Sequence, residues 1–377
     1  MKNKLLSFML LPILFSSISC KAQTVRSDER KSNNSETNIS AVSEMKISRA
    51  AHTATLLNDS RVLIVGGFSG EQVSLASVEI FDPRTDEFSS IGNMKFARAG
   101  HTATLLPDGK VLIAGGYNGN YLDSAEIFDP KTNDFTLIGK LTMPRSEHIA
   151  VLLNNGKVLL AGGVGTGWTF LDSAEIFDPQ TDNFSATRKM TTARESHTAT
   201  LLKDGRVLIT GGHQGRRAAM TVYSSTEIFD PSKNEFTKGA NLTVKRHKHD
   251  AVLLNDGKVL VVGGSDERDS RGAYTTAEIF NPSEKRFTKT ADMNLSRYKL
   301  NGTTILLKNG KILIAGGANQ AEIFNPSKNT FALTSGNFDS SRLFSTATLL
   351  QNGKVLIVGG YNQKNDVSKQ AWIYNAN

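Results

Sequence analysis

A pair of adjacent glycines recurs seven times along this chain, and this repetition constrains the fold more than any other feature. The chain has 377 residues, and successive pairs begin 43–53 residues apart. The pairs begin at Gly66, Gly115, Gly162, Gly211, Gly263, Gly316 and Gly359. A period of about 50 residues is typical of repeat architectures, in which each unit buries its apolar faces against its neighbours. The length therefore reflects one repeated unit within a single domain.

Each repeat contains segments that are typical of β-strands. An alternating segment such as 101–106 is followed, in six of the seven repeats, by Asp-Gly or Asn-Gly, the preferred dipeptides of a tight hairpin. An apolar run such as 111–114 then leads into the glycine pair, as expected of a strand covered on both faces. A variable loop, a third strand such as 125–128 and a fourth strand that starts at a Phe complete the repeat. Four antiparallel strands per repeat predict a propeller blade.

The two ends of the repeat array predict how the ring closes. An arginine with an apolar residue four positions before it occurs seven times, and the first copy, Arg49, precedes the first complete repeat. The last repeat ends at Asn375 without a fourth strand. We therefore expect residues near 38–45 to supply the outer strand of the blade formed by 345–375. The predicted fold class is all-β, a seven-bladed propeller of four-stranded blades closed by an N-terminal strand.

These repeats resemble kelch repeats over residues 38–375, in the bacterial form R-x-x-H-T-A-T-L-L, D-G-K-V-L-I-x-G-G and A-E-I-F-D-P. The resemblance implies membership of the superfamily that contains the galactose oxidase central domain. Phe replaces the usual Trp of the fourth strand, which still places a large ring there. The resemblance leaves the function open, because kelch propellers act as oxidases, sugar isomerases and protein-binding scaffolds.

Two activities found among such propellers are not expected here. The copper-radical oxidases need a Cys cross-linked to a Tyr beside the metal, and the only Cys in this chain is Cys20. Sialidases carry S-x-D-x-G-x-x-W boxes, and the sequence contains none. We also map no catalytic residue from the kelch-type sialic acid mutarotases onto this chain. We therefore expect no metal and no cofactor.

The N-terminal segment resembles a bacterial lipoprotein signal. A basic start and an apolar run end in the sequence SISC at Cys20, and the run is shorter than the roughly 20 apolar residues of a membrane span. We predict a signal peptide over 1–19, lipidation at Cys20, and a lipid-anchored disordered tether over 20–37, which leaves 38–377 for the propeller. The expected location is the cell envelope, as an outer-membrane lipoprotein, with a periplasmic or secreted protein as the alternative.

One arginine recurs in the loop before each innermost strand. The seven are Arg49, Arg98, Arg145, Arg194, Arg246, Arg297 and Arg342. As ligand-binding candidates they would attract carboxylate or phosphate groups near the channel mouth. The alternative is a scaffold role, in which each arginine pairs with a third-strand Glu. Only six such Glu exist, because Trp372 occupies that position in the closing blade, so one arginine lacks this partner.

One histidine per blade opens the innermost strand in five blades. They are His52, His101, His148, His197 and His249. A metal site requires three or four ligands that converge at about 2.0–2.1 Å, and residues spread around a channel do not converge in this way. We therefore expect hydrogen bonds within or between blades and predict no metal ligand among them.

The loops after the glycine pairs differ most in length and carry the aromatic ligand-binding candidates. They are longest in blades 4 and 5 and shortest in blade 6, which predicts a notch in the rim. The aromatic ligand-binding candidates are Tyr117, Tyr121, Trp168, Phe170, Tyr223, Tyr274 and Tyr361. Such rings stack on sugars or form protein hot spots. The alternative is that they pack beneath their own loops.

These features predict an envelope-exposed, non-catalytic binding module for a protein or glycan ligand. The alternative is a metal-free carbohydrate enzyme, such as a mutarotase or epimerase, that uses channel-mouth Arg, His or Glu. A Glu or His with a strongly shifted pKa near the channel would favour that alternative. The net charge of +8 includes one basic region around Arg216 and Lys245, but no nucleic-acid motif accompanies it. We expect a monomer, attached to a membrane through Cys20, with no nucleic-acid partner.

Overall fold

Seven four-stranded antiparallel sheets follow one another along the chain, as the glycine-pair repeat predicts. The computed structural model describes residues 38–70 and 73–376, so the predicted signal peptide, Cys20 and the tether lie outside the described residues. Each blade runs from an inner strand beside the central channel to an outer strand at the rim. The all-β, seven-bladed prediction is confirmed.

The four strands of a blade are its inner, second, third and outer strands, counted from the channel to the rim. Blade 1 contains Thr53–Leu56, Val62–Val65, Ser77–Asp82 and Glu87–Asn93. Blade 2 contains Thr102–Leu105, Val111–Ala114, Ala125–Asp129 and Asp134–Leu137. Blade 3 contains Ile149–Leu152, Val158–Ala161, Ala174–Asp178 and Asn183–Ala186. Blade 4 contains Thr198–Leu201, Val207–Thr210, Thr226–Asp230 and Glu235–Lys238.

The remaining blades keep this order, and only small elements occur between strands. Blade 5 contains Asp250–Leu253, Val259–Val262, Ala277–Asn281 and Arg286–Lys289. Blade 6 contains Thr304–Leu306, Ile312–Ile314, Glu322–Asn325 and Thr330–Leu333. Blade 7 contains Thr346–Leu349, Val355–Val358, Ala371–Tyr374 and, as its outer strand, Ile39–Ala41. Short loop hairpins pair Val164–Gly165 with Thr169–Phe170 and His213–Gln214 with Thr221–Val222, and 3-10 turns cover Thr166–Trp168, Arg217–Ala219 and Asp269–Gly272.

The N-terminal strand closes the ring, as predicted. Ile39–Ala41 pairs antiparallel with Ala371–Tyr374, so that Ile39 lies opposite Tyr374 and Ala41 opposite Trp372. The two ends of the described chain therefore share one sheet, and blade 7 has the same four strands as the others. No helix in the described part of the chain is long and apolar enough to cross a membrane.

The core lies between neighbouring blades. The second strands, such as Val62–Val65, are buried throughout, which explains their continuous apolar sequence. Third and outer strands contribute paired rings, and the Phe81 and Phe88 ring centroids are 4.9 Å apart. One cluster packs residues of blade 1, including Leu63, against residues of blade 2, including Val111. Each blade thus buries its apolar faces only when its neighbours are present.

The glycine pairs join each blade to the next. The amide of Gly67 donates to the carbonyl of Arg98 in the following blade at 2.9 Å, and the amide of Gly360 closes the circle on Arg49 at 2.9 Å. Gly67 has φ +90°, and a Cβ there would lie 2.5 Å from the carbonyl oxygen of Ala50. Only glycine combines this backbone conformation with so close an approach.

Candidate functional site

The recurrent arginines are buried inside the blades. Six of them form ion pairs with the third-strand glutamates at 2.7–3.0 Å, and the side chains of all six pairs are 0–1% exposed. The pairs are Arg49–Glu79, Arg98–Glu126, Arg145–Glu175, Arg194–Glu227, Arg246–Glu278 and Arg297–Glu322. Arg98 also donates to the carbonyl of Gly115 at 2.6 Å. This placement favours the scaffold role over the ligand-binding role for these six arginines.

Arg342 is the arginine without a glutamate. Its guanidinium donates to Asp339 and, at 2.8 Å, to the side-chain oxygen of Gln370. It also lies over the ring of Trp372, 4.3 Å from the centroid. Burial lowers the pKa of Arg342 to about 10. With a side chain that is 2% exposed, Arg342 is also part of the scaffold.

The inner-strand histidines link neighbouring blades. The ring Nε2 atoms of His52, His101, His148 and His249 each lie 3.0 Å from a threonine hydroxyl of the preceding blade. His197 has no such partner among the described residues, because Ile149 occupies the threonine position in blade 3. Burial and the neighbouring arginines lower the pKa of His101 to about 3, so this ring is neutral at neutral pH.

Blade 6 has Gly302 in place of the histidine, and an aspartate replaces this link. Asp250 of blade 5 occupies the threonine position and accepts hydrogen bonds from the amides of Thr303 and Thr304, both at 2.9 Å. Burial raises the pKa of Asp250 to about 6. The histidines and Asp250 therefore serve the packing between blades.

The arginine loops and the loops after the glycine pairs share one face of the propeller, which we call the loop face. Backbone bridges connect the two loops of a blade, for example Ala99 to Tyr117 and Glu195 to His213. This arrangement was expected from the resemblance to kelch propellers. The variable loops consequently surround the mouth of the central channel.

A ring of seven residues outlines this mouth, one from each blade, two positions after each arginine. We call it the mouth ring: Ala51, Gly100, Glu147, Ser196, Lys248, Lys299 and Phe344. All seven have φ between +49° and +61°. Backbone hydrogen bonds connect neighbouring members, such as Glu147 N to Gly100 O at 2.8 Å. The residue type at the mouth-ring position changes from blade to blade, whereas the Arg two positions before it recurs in every blade and the His after it in five. This contrast between variable and repeated positions is visible in the sequence, but it was not used in the prediction of the site.

The charged members of the mouth ring interact with one another. Burial raises the pKa of Glu147, and the ammonium groups of Lys248 and Lys299 act in the opposite direction. Lys248 pairs with Asp269 of the blade 5 loop at 2.7 Å. Lys299 donates to the hydroxyl of Tyr361 at 2.6 Å. The mouth ring therefore carries charges of both signs, and its Glu147 also lines an open cavity of about 410 Å³ in the channel.

Three rings surround the ammonium group of Lys299. It lies 5.1 Å from the ring centroid of Tyr298, 5.5 Å from that of Phe344 and 5.2 Å from that of Tyr361. These distances are within the range of cation–π attraction. Tyr361 is 9% exposed and Tyr298 is 5% exposed, so this cage belongs to the packed part of the loop face.

A second group of ionisable residues lies in the blade 4 and blade 5 loops. His213 Nδ1 is 3.1 Å from His247 Nδ1, and His213 Nε2 is 4.0 Å from a carboxylate oxygen of Glu195. Burial and the nearby Glu147 carboxylate raise the pKa of Glu195 to about 7. Burial is also the main cause that lowers the pKa of His213 to about 3 and that of His247 to about 4. No repeated motif marks this group in the sequence, because this combination of side chains occurs in no other blade.

Aromatic side chains from blades 2 and 3 form an exposed platform. Tyr117 and Tyr121 have ring centroids 5.1 Å apart, and Trp168 meets the ring of Tyr121 edge-on at 5.7 Å. Trp168 is 48% exposed and Tyr117 is 36% exposed. The guanidinium of Arg216 lies over Trp168, 2.9 Å from the ring centroid. These positions suit a contact surface for a ligand.

The other aromatic candidates lie deeper in the structure. Tyr223 and Tyr274 pack against the buried Arg194 and Arg246, with guanidinium-to-centroid distances of 5.5 Å and 5.7 Å. Phe170 packs edge-on against His213 at 5.6 Å. This placement agrees with the alternative that part of the aromatic set packs beneath its own loops.

Tyr361 lines a second cleft of about 330 Å³ on the loop face. Phe68 and Tyr117 contribute further rings to its walls. The centroids of Phe68 and Tyr361 are 6.0 Å apart. The cleft therefore joins the platform of blade 2 to the loops of blades 1 and 7.

Comparison with known proteins agrees with this architecture. The geometry defines a seven-bladed β-propeller with variable loops on one face. Residues 49–95, 97–142 and 251–294 match the Kelch motif, so these three segments of the propeller carry kelch motifs. No curated protein matches the chain.

One similar solved structure is a fungal alcohol oxidase of the AA5 family in complex with copper. It is 15% identical to this chain, the match covers 90% of this chain and 76% of that one, and the TM-score is 0.72. At this identity the likeness shows the fold alone.

The residues of this chain do not fit a copper-radical centre. The single Cys, Cys20, lies outside the described residues, and residues 38–70 and 73–376 contain no Cys that could be cross-linked to a Tyr. No group of three or more His, Cys, Asp or Glu side chains within residues 38–70 and 73–376 could hold a metal ion. We therefore derive no copper chemistry for this chain.

Proposed function

We propose that this protein is an envelope-exposed, non-catalytic binding module that engages a protein or glycan ligand through its loop face. The exposed platform of Tyr117, Tyr121 and Trp168 is the observation that carries the proposal. Kelch propellers in general support a binding role. The recurrent Arg and His residues are used within the scaffold, so recognition falls to the loops that vary from blade to blade.

Exposed aromatic rings are suited to this role. Tyr and Trp supply large contact areas at a small cost in conformational entropy, and they dominate the energetics of many interfaces. The adjacent cleft with Phe68 and Tyr361 extends the apolar surface toward blades 1 and 7. A ligand bound on the platform would contact aromatic rings, and the charged groups of the mouth ring would lie on the side of the ligand nearer the channel.

A binding screen of the full chain against glycans and envelope proteins tests the proposal. The variants are Trp168→Ala and Tyr117→Ala, and the control is Leu333→Ala, an equally exposed apolar residue (44%) on an outer strand. Truncation of a hot-spot residue costs about 2 kcal/mol or more, which weakens binding by more than tenfold. If both aromatic variants retain the affinity of the unmodified chain, the platform is not the binding surface.

Envelope anchoring through Cys20 is a separate part of the proposal. It is supported by the basic start, the apolar run and the position of the only Cys in the chain. We expect Cys20→Ala to move the protein from the membrane fraction to the soluble fraction. Retention of the variant in the membrane fraction would contradict lipidation at this residue.

The second candidate is a metal-free carbohydrate enzyme, and the raised pKa of Glu195 favours it. A general acid or base works best when its pKa lies near the operating pH, and the pKa of Glu195 is about 7. Loss of sugar mutarotation or epimerisation in Glu195→Gln, with unchanged activity in Leu333→Ala, would support this candidate. The complete absence of turnover across a sugar panel by the unmodified chain would refute it.

A further inference from the structure

The backbone holds Glu195 and His213 side by side on the loop face. The amide of Glu195 donates to the carbonyl of His213 at 2.9 Å, and the amide of His213 donates back at 3.0 Å. Opposed residues of such an antiparallel bridge direct their side chains to the same side. The 4.0 Å between His213 Nε2 and the Glu195 carboxylate is too long for a hydrogen bond. The two groups therefore face each other across a gap.

A hydrogen-bond relay determines which ring nitrogen of His213 carries the proton. His247 Nε2 lies 3.2 Å from the backbone carbonyl of Asp266, and because a carbonyl only accepts, this nitrogen is protonated. In the neutral ring of His247, Nδ1 is then the acceptor, so the Nδ1 of His213 at 3.1 Å must be the donor. His213 Nε2 is consequently left with a lone pair that points toward Glu195.

Both histidines are neutral at neutral pH. Burial is the main cause that lowers the pKa of His213 to about 3 and that of His247 to about 4, and Lys248 acts in the same direction on both. A neutral pair is what the relay requires, since a doubly protonated ring has no acceptor. His213 is 5% exposed, so its Nε2 is an acceptor at the edge of a buried ring.

No described residue donates a hydrogen bond to this gap. The structure shows no donor within hydrogen-bond distance of His213 Nε2 or of the Glu195 carboxylate among residues 38–70 and 73–376. The hydroxyl of Tyr121 is also buried without a partner in the described part of the chain, and its pKa responds to Glu195. His213 Nε2 and the Glu195 carboxylate are not among the fully buried atoms without a partner, so they are open to solvent, and these two acceptors suit a ligand that brings donors.

The charges of the pocket favour an uncharged donor. Arg216 and Lys248 act on both His213 and Glu195, while the carboxylate of Glu147 acts on Glu195 and that of Asp269 acts on His213. Charges of both signs are therefore already present, and an uncharged donor adds no unpaired charge. The Arg216 side chain has no hydrogen bond or ion pair among the described residues and is held only by its position over Trp168. An exposed cation–π contact of this kind is weak, so a ligand with a ring face could replace the Arg216 guanidinium over the Trp168 ring.

We propose that this pocket binds one uncharged sugar ring through two neighbouring hydroxyl groups, one donated to His213 Nε2 and the other to the Glu195 carboxylate. The ring displaces Arg216 and stacks on Trp168. Hydroxyl groups supply the missing donors without adding charge, and the Tyr121 hydroxyl provides a further partner. This inference rests on the proposed binding role of the loop face and names the ligand class that the face takes.

The experiment titrates the full chain with the methyl glycosides of glucose, galactose and mannose, and with glucosamine as the charged probe. Binding is measured by calorimetry, and the protonation of each imidazole is read from long-range proton–nitrogen NMR of histidine-labelled protein. The variants are His213→Phe, His247→Phe, Trp168→Ala and Arg216→Ala. Arg271→Ala, an exposed residue of the blade 5 loop, is the matched control. Circular dichroism confirms that each variant is folded.

We expect at least one neutral glycoside to bind, and its affinity to fall at least tenfold in His213→Phe, His247→Phe and Trp168→Ala. The Arg216→Ala variant should bind more tightly, and Arg271→Ala should be unchanged. NMR should show the proton of His213 on Nδ1 and that of His247 on Nε2, and the His213 Nε2 signal should shift when the glycoside binds. The effect of His247→Phe is informative because His247 acts on the pocket through His213: it sets the tautomer of that ring and packs edge-on against it at 4.7 Å.

Three results would overturn the inference. The first is a proton on Nε2 of His213 in the protein without ligand. The second is tenfold tighter binding of glucosamine than of the methyl glycoside of glucose. The third is the failure of every neutral glycoside to bind. If an envelope protein binds in a Trp168-dependent manner while no glycoside does, this inference fails and the proposed binding role stands. If neither proteins nor glycans bind, both fail.

Discussion

Removing the Glu126 carboxylate should destabilise the propeller far more than an average substitution. Three donors converge on this group: Arg98 Nη2 at 2.7 Å and the backbone amides of Lys95 and Phe96 at 2.8 and 3.2 Å. The side chains of Arg98 and Glu126 are both 0% exposed. Glu126→Ala therefore leaves a buried guanidinium and two amides without their acceptor.

The size of the effect follows from these contacts. Breaking a buried ion pair by removing one partner costs about 3–5 kcal/mol, and an orphaned buried amide costs about 1–3 kcal/mol. Lys95 and Phe96 are exposed residues, so water is available to their amides, and the ion pair sets the lower bound. We expect Glu126→Ala to lower the free energy of unfolding by at least about 3 kcal/mol. The double variant Arg98→Met with Glu126→Leu should recover most of this loss, because apolar replacement of both partners is often neutral.

Urea unfolding of the full chain, followed by far-ultraviolet circular dichroism, measures these differences. Arg342→Met is the matched control, since this arginine has no glutamate partner and its contact Asp339 is 53% exposed. We expect it to lose less stability than Arg98→Met. A loss below about 1 kcal/mol for Glu126→Ala, the size expected of an exposed pair, would refute the reasoning. So would a double variant as unstable as the single one.

Two further predictions concern the packing between blades. Gly67→Ala should lose more stability than Gly119→Ala in urea unfolding. Both glycines have positive φ, but only at Gly67 would the new Cβ lie 2.5 Å from a carbonyl oxygen, that of Ala50. Equal losses for the two variants would show that this crowding is unimportant. Burial raises the pKa of Asp250 from 3.8 to about 6, so its protonated form favours the folded state. That contribution is complete below about pH 4 and is lost as the pH rises through about 6. Relative to Asp250→Asn, the unmodified chain should therefore lose about 2.4 kcal/mol between pH 4 and 7, and parallel stability curves would contradict this.

The repeat made most of the fold predictable. The Asp-Gly and Asn-Gly turns, the apolar second strands and the glycine pairs are local signals, and each acts within a few residues of its own position. Ring closure by Ile39–Ala41 was also predictable, because the first and last repeats are complementary in length. The pairing of arginines with glutamates was one of two interpretations, and the structure favours it through complete burial of both side chains.

The repeat marks the positions of the mouth ring, but the contacts among its side chains and the His213 pocket were not predictable from the sequence. The mouth ring takes one residue from each blade, about 50 residues apart, whereas the His213 group combines Glu195 and His213 of blade 4 with His247 of blade 5. No local pattern connects Glu147 with Lys299 or His213 with His247. Their pKa values depend on desolvation and on charges brought together only by closure of the ring. The same holds for Arg342, whose substitute partners come from its own loop and from Gln370.

The sequence by itself therefore determined the blade, the number of blades and the way in which the ring closes, because strand period, turn chemistry and repeat count are properties of the chain read in order. Only the tertiary structure decided which polar residues are left for a ligand. It buried the recurrent Arg and His residues and assembled unmatched acceptors at one part of the loop face. The physical reason is that hydrogen-bond satisfaction and electrostatic environment depend on distances between residues that are far apart in sequence.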